Sequence, residues 1–287
     1  MYLDPKLMDK IIKVALDEDL GEVGDITTKA VFPEPQRSKG IILCKDSGII
    51  AGMEIAARVF TLLDNSIIFN PRVDDGEKVQ PEQVLATVEG FTQSILTGER
   101  TALNFLQHLS GIATLTHKFV ERVKSYPVKI MDTRKTLPGL RAFEKYAVQV
   151  GGGFNHRLGL YDGVLIKDNH IRAAGGIAQA IKTARLHLSN EVKIEVEAET
   201  LEQVKEAIEA GADVIMLDNM DINTMLEAVK LVNKRALVEA SGGVTLENVV
   251  KMAKTGVDWI SVGVLTQAAP SLDISLEILL MSISDER

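Results

Sequence analysis

Hydrophobic residues follow two different rhythms along the 287-residue chain. The first third opens with an amphipathic stretch that predicts a helix, MYLDPKLMDKIIKVALDEDL. Residues 39–90 then carry short β-like runs separated by turn formers: GIILCKD, SIIFNPRV and VLATVEG. Leucines recur at helical spacing in the stretch SILTGERTALNFLQHLSGIATLTHKFV, which predicts one or two long helices. Together these patterns predict a small α/β domain in this part of the chain.

From residue 128 onward, apolar runs alternate with helix-like stretches about six times. The predicted strands are VKIM, GVLI, KIEVEAE, VIMLDN, ALVEASGG and WISVG. Strands that are apolar throughout are typical of a parallel sheet with both faces covered, and their alternation with helices indicates βαβ units. We therefore predict an α/β barrel that is incomplete, because six strands are evident and the usual number is eight. An open doubly wound sheet is the alternative. The C-terminal stretch LDISLEILLMSI is predicted to be a helix that packs on the first domain.

Composition excludes several classes of protein. The formal net charge of −8 argues against nucleic acid as a partner, because a broad basic face is absent. Cys44 is the only cysteine, so no disulfide framework or cysteine metal cluster is expected. The first residues do not form a signal peptide, and no apolar run approaches the ~20 residues that span a membrane. The chain is therefore expected to be soluble and cytoplasmic.

Polar groups and glycines follow the predicted strands at their carboxyl ends, where a barrel of this type holds its active site. They are Arg134, Lys135, Lys167, Glu197, Asp218, Ser241, Gly242, Gly243 and Gly263. Arg157, in the glycine-rich run GGGFNHRLG, adds a further cation. Arginine and lysine suit carboxylates and phosphates, and two glycines between a strand and a helix allow backbone N–H groups to approach a phosphate. The set predicts a site for a sugar phosphate with a second anionic group.

Each group also has a plainer interpretation. Arg157 can be a surface loop residue, and the SGG run can be an ordinary tight turn. Glu197 and Asp218, on adjacent predicted strands, either hold sugar hydroxyls or a divalent metal, or form structural ion pairs with the lysines. No Ser-His-Asp or Cys-His arrangement stands out in the sequence, which favours a reaction without a protein nucleophile.

Several long motifs in their order along the chain resemble the quinolinate phosphoribosyltransferase family. They are GDITT, GERTALNFLQHLSGIAT, DTRKTLPGLR, KYAVQVGGGFNHRLGLYDGVLIKDNHI, EVEAETLEQ, IMLDN and ASGGVTLENV. The resemblance implies an N-terminal α/β sandwich domain over residues 1–111, joined by 270–287, and an incomplete, seven-stranded α/β barrel over 112–269. It also implies phosphoribosyl transfer from phosphoribosyl pyrophosphate (PRPP) to quinolinate with loss of CO₂, which yields nicotinate mononucleotide for NAD biosynthesis.

The resemblance further implies roles for individual residues. Quinolinate is bound by Arg100, Thr133, Arg134, Lys135, His156, Arg157 and Lys167. The residues nearest the chemistry are Lys135, Lys167, Glu197 and Asp218. Glu197 and Asp218 hold the ribose hydroxyls and Mg²⁺, either directly or through PRPP. The phosphate-binding residues are Ser241, Gly242, Gly243 and Gly263. Arg100 is lent by a neighbouring subunit, so the working unit is a homodimer, which can assemble further.

Two other functions compete with this interpretation. One is a lyase that forms a Schiff base through Lys167, and the other is a phosphosugar-binding protein without catalysis. A relative of the family that is linked to molybdenum transport is also compatible with the motifs. Gln267 stands where the family commonly has histidine, and we leave it out of the predicted site.

Overall fold

The computed structural model describes residues 3–189 and 191–279. The first part of the chain forms α1 (Pro5–Leu20), α2 (Ile26–Val31), β1 (Arg37–Cys44), β2 (Gly48–Ile49), α3 (Met53–Leu63), β3 (Ile68–Pro71), β4 (Lys78–Val79), β5 (Val84–Phe91) and α4 (Thr92–Val123). The remainder forms β6 (Lys129–Met131), α5 (Arg141–Val150), β7 (Val164–Ile166), α6 (Asp168–Ala174), α7 (Ile177–His187), β8 (Ile194–Ala198), α8 (Leu201–Glu209), β9 (Val214–Asp218), α9 (Ile222–Val232), β10 (Leu237–Ser241), α10 (Val249–Ala253), β11 (Trp259–Ser261), α11 (Val264–Gln267) and β12 (Ile274–Leu279).

These elements fall into two compact units. The first comprises the chain up to Leu115, Leu137–Gly152 and the residues from Ala268 onward, and the second comprises Thr116–Thr136 and Gly153–Gln267. No helix in the described part of the chain is long and apolar enough to cross a membrane.

The first unit is built on an antiparallel sheet in the order β12-β1-β5-β3, with β2 and β4 paired separately. Fully buried side chains from strands and helices form its core, among them Ile42, Phe60 and Val88. Burial of such side chains stabilises the unit by about 1.5 to 3 kcal/mol each. The stretch predicted to form one or two long helices forms a single helix, α4. Its leucines at positions 103, 106 and 109 are buried.

The C-terminal helix predicted from LDISLEILLMSI is wrong where the structure describes it. Residues Ile274–Leu279 form strand β12, which pairs antiparallel with β1 from Lys39–Leu279 to Cys44–Ile274. Apolar and polar residues alternate from Leu272 to Ile278, which is the period of a strand and not of a helix. The last residues of the predicted helix lie outside the described part of the chain.

Helix α5 is held in the first unit by polar contacts. The Tyr146 hydroxyl donates to Asp75 over 2.7 Å, and burial together with this bond raises the pKa of Tyr146. The buried Glu144 carboxylate lies 2.9 Å from His108 Nε2 on α4 and accepts the Leu137 N–H over 3.2 Å. These bonds link the middle of α5 to Asp75 and His108 and join its Glu144 to Leu137, at the start of the segment.

The second unit is a parallel sheet in the order β6-β11-β10-β9-β8-β7. Its strands are buried almost throughout, as in Val214–Asp218, whose first four residues are all buried. From β7 to β11 each strand lies beside the next one in sequence, and the first strand, β6, lies beside the last, β11, which is the order of a barrel. In a doubly wound sheet the order of the strands reverses partway across the sheet. The order observed here does not reverse in that way, so the doubly wound alternative is wrong.

The resemblance implied seven barrel strands, and the described residues contain six. In the segment between α5 and β7, an isolated parallel bridge joins Phe154 to Met131 of β6. Phe154 N–H donates to the Ile130 carbonyl over 2.8 Å, and its own carbonyl accepts the Asp132 N–H over 3.0 Å. The glycine run 151–153 precedes Phe154 and disfavours extended pairing, so the seventh strand is reduced to one residue.

Candidate active site

A cavity of about 680 Å³ lies at the carboxyl ends of the parallel strands in the second unit. Register explains why the predicted groups meet there. Ser241 pairs with Asp218, and Ile166 pairs with Val196, so Lys167 and Glu197 follow at the same level. The cavity is lined by every site residue predicted in this unit: Thr133, Arg134, Lys135, His156, Arg157, Lys167, Glu197, Asp218, Ser241, Gly242, Gly243 and Gly263. The structure therefore brings twelve of the thirteen predicted residues together.

Arg100 is the thirteenth, and it is exposed on α4 in the first unit. It is not among the described residues that line the cavity.

Two arginines face the cavity without enough anionic partners in the protein. The buried Nε of Arg134 has no hydrogen-bond acceptor among the described residues. Arg157 donates through Nη1 to the Gly163 carbonyl over 3.0 Å. Burial, together with the positive charge of Arg134, lowers the pKa of Arg157. Two cations that repel each other in a partly desolvated cavity are suited to an anion placed between them.

Lys135 is held above the end of β11 by its own backbone. Its N–H donates to Thr133 Oγ1 over 3.0 Å, and its carbonyl accepts the Thr266 hydroxyl over 2.7 Å. A Cβ at Gly263 would lie 3.2 Å from Lys135 Cδ. Gly263 therefore makes room for the lysine stem, a function that differs from the predicted contact with phosphate and that the sequence did not indicate.

Lys167 and Glu197 form an ion pair at the ends of β7 and β8. The second oxygen of Glu197 lies 3.4 Å from the Asp168 N–H. This pair is the structural alternative weighed for Glu197, and it is the state of the protein alone. In this pair the Lys167 side chain is already bonded to a carboxylate of the protein.

His156 lies at the base of the cavity above two buried carboxylates. The ring Nε2 of His156 is 3.0 Å from Glu195 and 3.5 Å from Glu239. The backbone N–H of His156 donates to Asp132 Oδ1 over 2.8 Å. Burial lowers the pKa of His156, but the two carboxylates raise it by more, whereas burial raises that of Glu195. Both ring nitrogens have protein groups beside them, so a direct bond from His156 to a ligand would compete with these contacts.

The same three side chains offer ligand atoms within 4.8 Å of one another, as a metal site requires. One hydrogen bond argues against a metal, because Arg157 N–H donates to His156 Nδ1 over 2.8 Å. An accepting Nδ1 places the proton of a neutral ring on Nε2, where a metal would need a lone pair. The imidazolium that the carboxylates favour also carries a proton on Nε2, so in both protonation states this atom presents a proton to Glu195 and Glu239. The cluster is therefore assigned a proton and not a metal.

The phosphate loop departs from the prediction in one respect. Gly242 and Gly243 have φ of 95° and 58°, which are left-handed values that favour glycine. The helix expected to follow them directly begins only at Val249, and Asn248 Nδ2 donates to the Gly243 carbonyl over 2.8 Å. Backbone N–H groups of the loop, and not a helix N-terminus, are thus what this segment offers to an anion.

The cavity also includes polar residues that were not in the predicted site. Asn219, Gln267, Asp168 and Glu199 line it. A polar residue directly after a predicted strand is the pattern that points to Asn219, but in the sequence it is indistinguishable from a turn residue.

Comparisons with known proteins match the chain to one family over most of its length. Residues 25–110 match the family described as quinolinate phosphoribosyl transferase, N-terminal domain, and residues 112–277 match its C-terminal domain. The chain is 46% identical over 275 residues to a probable nicotinate-nucleotide pyrophosphorylase (carboxylating) of Synechocystis, covering 95% of this chain and 92% of that protein. A Bacillus subtilis protein of the same name is 46% identical over 279 residues, with 97% and 96% covered. The solved nicotinate-nucleotide pyrophosphorylase from Francisella tularensis superposes with a TM-score of 0.92 at 40% identity, covering 97% of this chain and 98% of that one.

Proposed function

The chain belongs to the quinolinate phosphoribosyltransferase family, and we propose that its cavity carries out the reaction of that family. The enzyme transfers the phosphoribosyl group of PRPP to quinolinate with decarboxylation. The products are nicotinate mononucleotide, pyrophosphate and CO₂, and the reaction belongs to NAD biosynthesis. Membership of this family argues against the two competing predictions, a Schiff-base lyase and a non-catalytic phosphosugar-binding protein.

The unpaired Nε of Arg134 is the observation that carries the assignment of the quinolinate subsite. A buried guanidinium donor without an acceptor is costly unless a ligand supplies one. The lowered pKa of Arg157 indicates the same need for negative charge. Quinolinate carries two carboxylates, so it can pair with both arginines, whereas a monocarboxylate leaves one of them unsatisfied. Thr133 and His156 line the same part of the cavity.

The remaining residues then act on the phosphoribosyl group. As the bond between C1 of the ribose and pyrophosphate breaks, C1 gains positive charge that the carboxylates of Glu197 and Asp218 stabilise. The pyridine nitrogen forms the new bond to C1. Lys135 and Lys167 neutralise charge on pyrophosphate and quinolinate, which lowers the barrier to departure. Ser241 and the Gly242–Gly243 loop hold the 5′-phosphate.

Decarboxylation follows from the charge created on the ring. The pyridinium nitrogen withdraws electrons, so the bond from C2 to its carboxylate breaks and the electron pair stays on C2. A proton then replaces CO₂ at that carbon. The arginines hold the carboxylates in place until this step.

Mg²⁺ is the cofactor that we propose for this site. Glu197 and Asp218 provide carboxylate oxygens, which this ion prefers, and Glu197 is already paired with Lys167. Because one of these two carboxylates already pairs with Lys167, the protein offers few free ligands. This donor set fits an ion that is bound mainly through the substrate phosphates. When bound, Mg²⁺ supplies neutralisation of the pyrophosphate charge.

We propose a homodimer as the working unit, with Arg100 entering the site of the partner. The exposure of Arg100 on a helix of the first unit supports this, because the side chain is available to a neighbour. A higher oligomer and a cytoplasmic location stay predictions from the sequence.

One assay tests the proposed function. Purified protein is incubated with quinolinate, PRPP and Mg²⁺, and the products are identified by mass. Nicotinate mononucleotide that depends on all three additions is the expected result. Formation of quinolinate mononucleotide without CO₂ release, or no turnover, would contradict the proposal.

A further inference from the structure

Asn219 has a backbone conformation that is uncommon for residues other than glycine. It follows β9 directly and has φ of 54°, in the left-handed region. Glu82, Asn233 and Lys234 are the other non-glycine residues with positive φ in the described part of the chain, and none of them lines the cavity. Glycine adopts this conformation at no steric cost, and backbone strain of this kind is concentrated at functional sites. The strain at Asn219 therefore directs attention to its side chain.

The Asn219 side chain lies between two predicted parts of the site. Its Nδ2 donates to Asp218 Oδ2 over 3.1 Å, and its N–H donates to the Ser241 carbonyl over 3.0 Å. On the other side, its Oδ1 lies 2.1 Å from the point that a Cβ on Gly242 would occupy. The amide thus packs against the Gly242 backbone and bonds to the neighbouring carboxylate. One residue therefore contacts both Asp218, on the proposed ribose side, and Gly242, on the proposed phosphate side of the cavity.

We infer that Asn219 is a positioning residue that sets the Asp218 carboxylate and the Gly242–Gly243 loop at a fixed separation, so that a phosphorylated ribose is held at both ends. This rests on the proposed function for the identity of the sugar phosphate. The hydrogen bond from Nδ2 restricts rotation of the carboxylate, and the packing against Gly242 restricts the loop. Without the side chain both groups keep their chemistry but lose their relative placement.

The experiment removes the side chain without straining the backbone. In Asn219→Gly the left-handed φ is retained without steric cost, so the native fold should be kept. The matched control is Asn233→Gly, which makes the same change at φ of 46° in the C-cap of α9, a residue that does not line the cavity. Asn219→Asp is a second variant, because it keeps the shape and the left-handed tolerance but replaces the amide donor by a charge.

Binding of ribose 5-phosphate is measured by calorimetry, and thermal unfolding is recorded for each variant. Asn219→Gly should weaken binding about tenfold, the range expected for one hydrogen bond to a charged group. Asn219→Asp should weaken it at least as much, and Asn233→Gly should bind as the wild type does. In turnover assays the KM for PRPP should rise by a similar factor in Asn219→Gly, while the KM for quinolinate stays within about twofold.

The inference is overturned if Asn219→Gly binds ribose 5-phosphate like the wild type, or if both glycine variants lose affinity equally. It is also overturned if the wild type does not bind ribose 5-phosphate. A wild type that binds the sugar phosphate but does not turn over quinolinate contradicts the proposed function alone, because the binding comparison uses no quinolinate.

Discussion

Replacement of Arg134 by lysine isolates the hydrogen-bonding geometry of the quinolinate subsite from its charge. The buried Nε of Arg134 lacks an acceptor among the described residues, and lysine keeps the positive charge without the planar fork. We expect the variant to lose about one charge-assisted hydrogen bond to a substrate carboxylate, or roughly 1.5 to 3 kcal/mol. At about 1.36 kcal/mol for each factor of ten, this corresponds to a fall of roughly 10- to 150-fold in kcat/KM for quinolinate.

The assay measures initial rates while quinolinate and PRPP are varied separately. The loss should appear with quinolinate, and the KM for PRPP should stay within about twofold. Arg235→Lys is the matched control, because Arg235 is exposed and donates to the Val232 and Leu231 carbonyls, outside the cavity. The wild type should also use nicotinate poorly, since one carboxylate is missing, and Arg134→Lys should narrow the gap between the two substrates.

The reasoning is refuted if Arg134→Lys keeps a normal KM for quinolinate and the wild-type preference over nicotinate. Thermal unfolding and circular dichroism separate this outcome from a folding defect. A variant that loses activity equally with respect to both substrates would place Arg134 outside the quinolinate subsite.

Three further changes test other parts of the site. Glu197→Gln should lower kcat by roughly 100-fold and leave the KM for quinolinate nearly unchanged, because charge is lost where the ribose becomes cationic; steady-state kinetics with normal kcat would return Glu197 to a structural ion pair. Gly263→Ala should lower kcat/KM severalfold by crowding the Lys135 stem, and should add no further loss in Lys135→Ala, which a double-mutant cycle measures. Arg100→Ala and Lys167→Ala should each be nearly inactive alone, whereas their random mixture should recover about a quarter of the activity, since half the dimers are mixed and each has one good site of two. Absence of recovery after verified subunit exchange would place Arg100 in the site of its own subunit.

Sequence patterns predicted the barrel strands well because each is an isolated apolar run. They failed at the C-terminus, where Leu272, Ile274, Leu276 and Ile278 alternate with Asp273, Ser275 and Glu277. That alternation was present in the letters, but the partner that makes it a strand, β1, lies over 200 residues away. Pairing at such separation is set by tertiary contacts and not by local preference.

The candidate site was predicted from the polar residues at the carboxyl ends of the predicted strands. The residues that this approach missed are marked by other features. Glu195 lies two residues before Glu197 on β8, so both carboxylates point to the same face. A charge at that alternate position of an apolar strand could have indicated the buried partner of His156. Asn219 could not have been found in this way, because its importance depends on a positive φ and on the packing of its amide against Gly242, where a Cβ would clash.

The sheet of the first unit has a consequence for synthesis of the chain. Its order places β12, the last described strand, beside β1, one of the earliest. While the ribosome is still making the barrel, β1 has only β5 as a neighbour and its other edge is open to pairing with another nascent chain. The first unit is therefore begun before the barrel but completed only after β12 has been made. Until then one edge of β1 stays exposed, which covers most of the time taken to translate the chain.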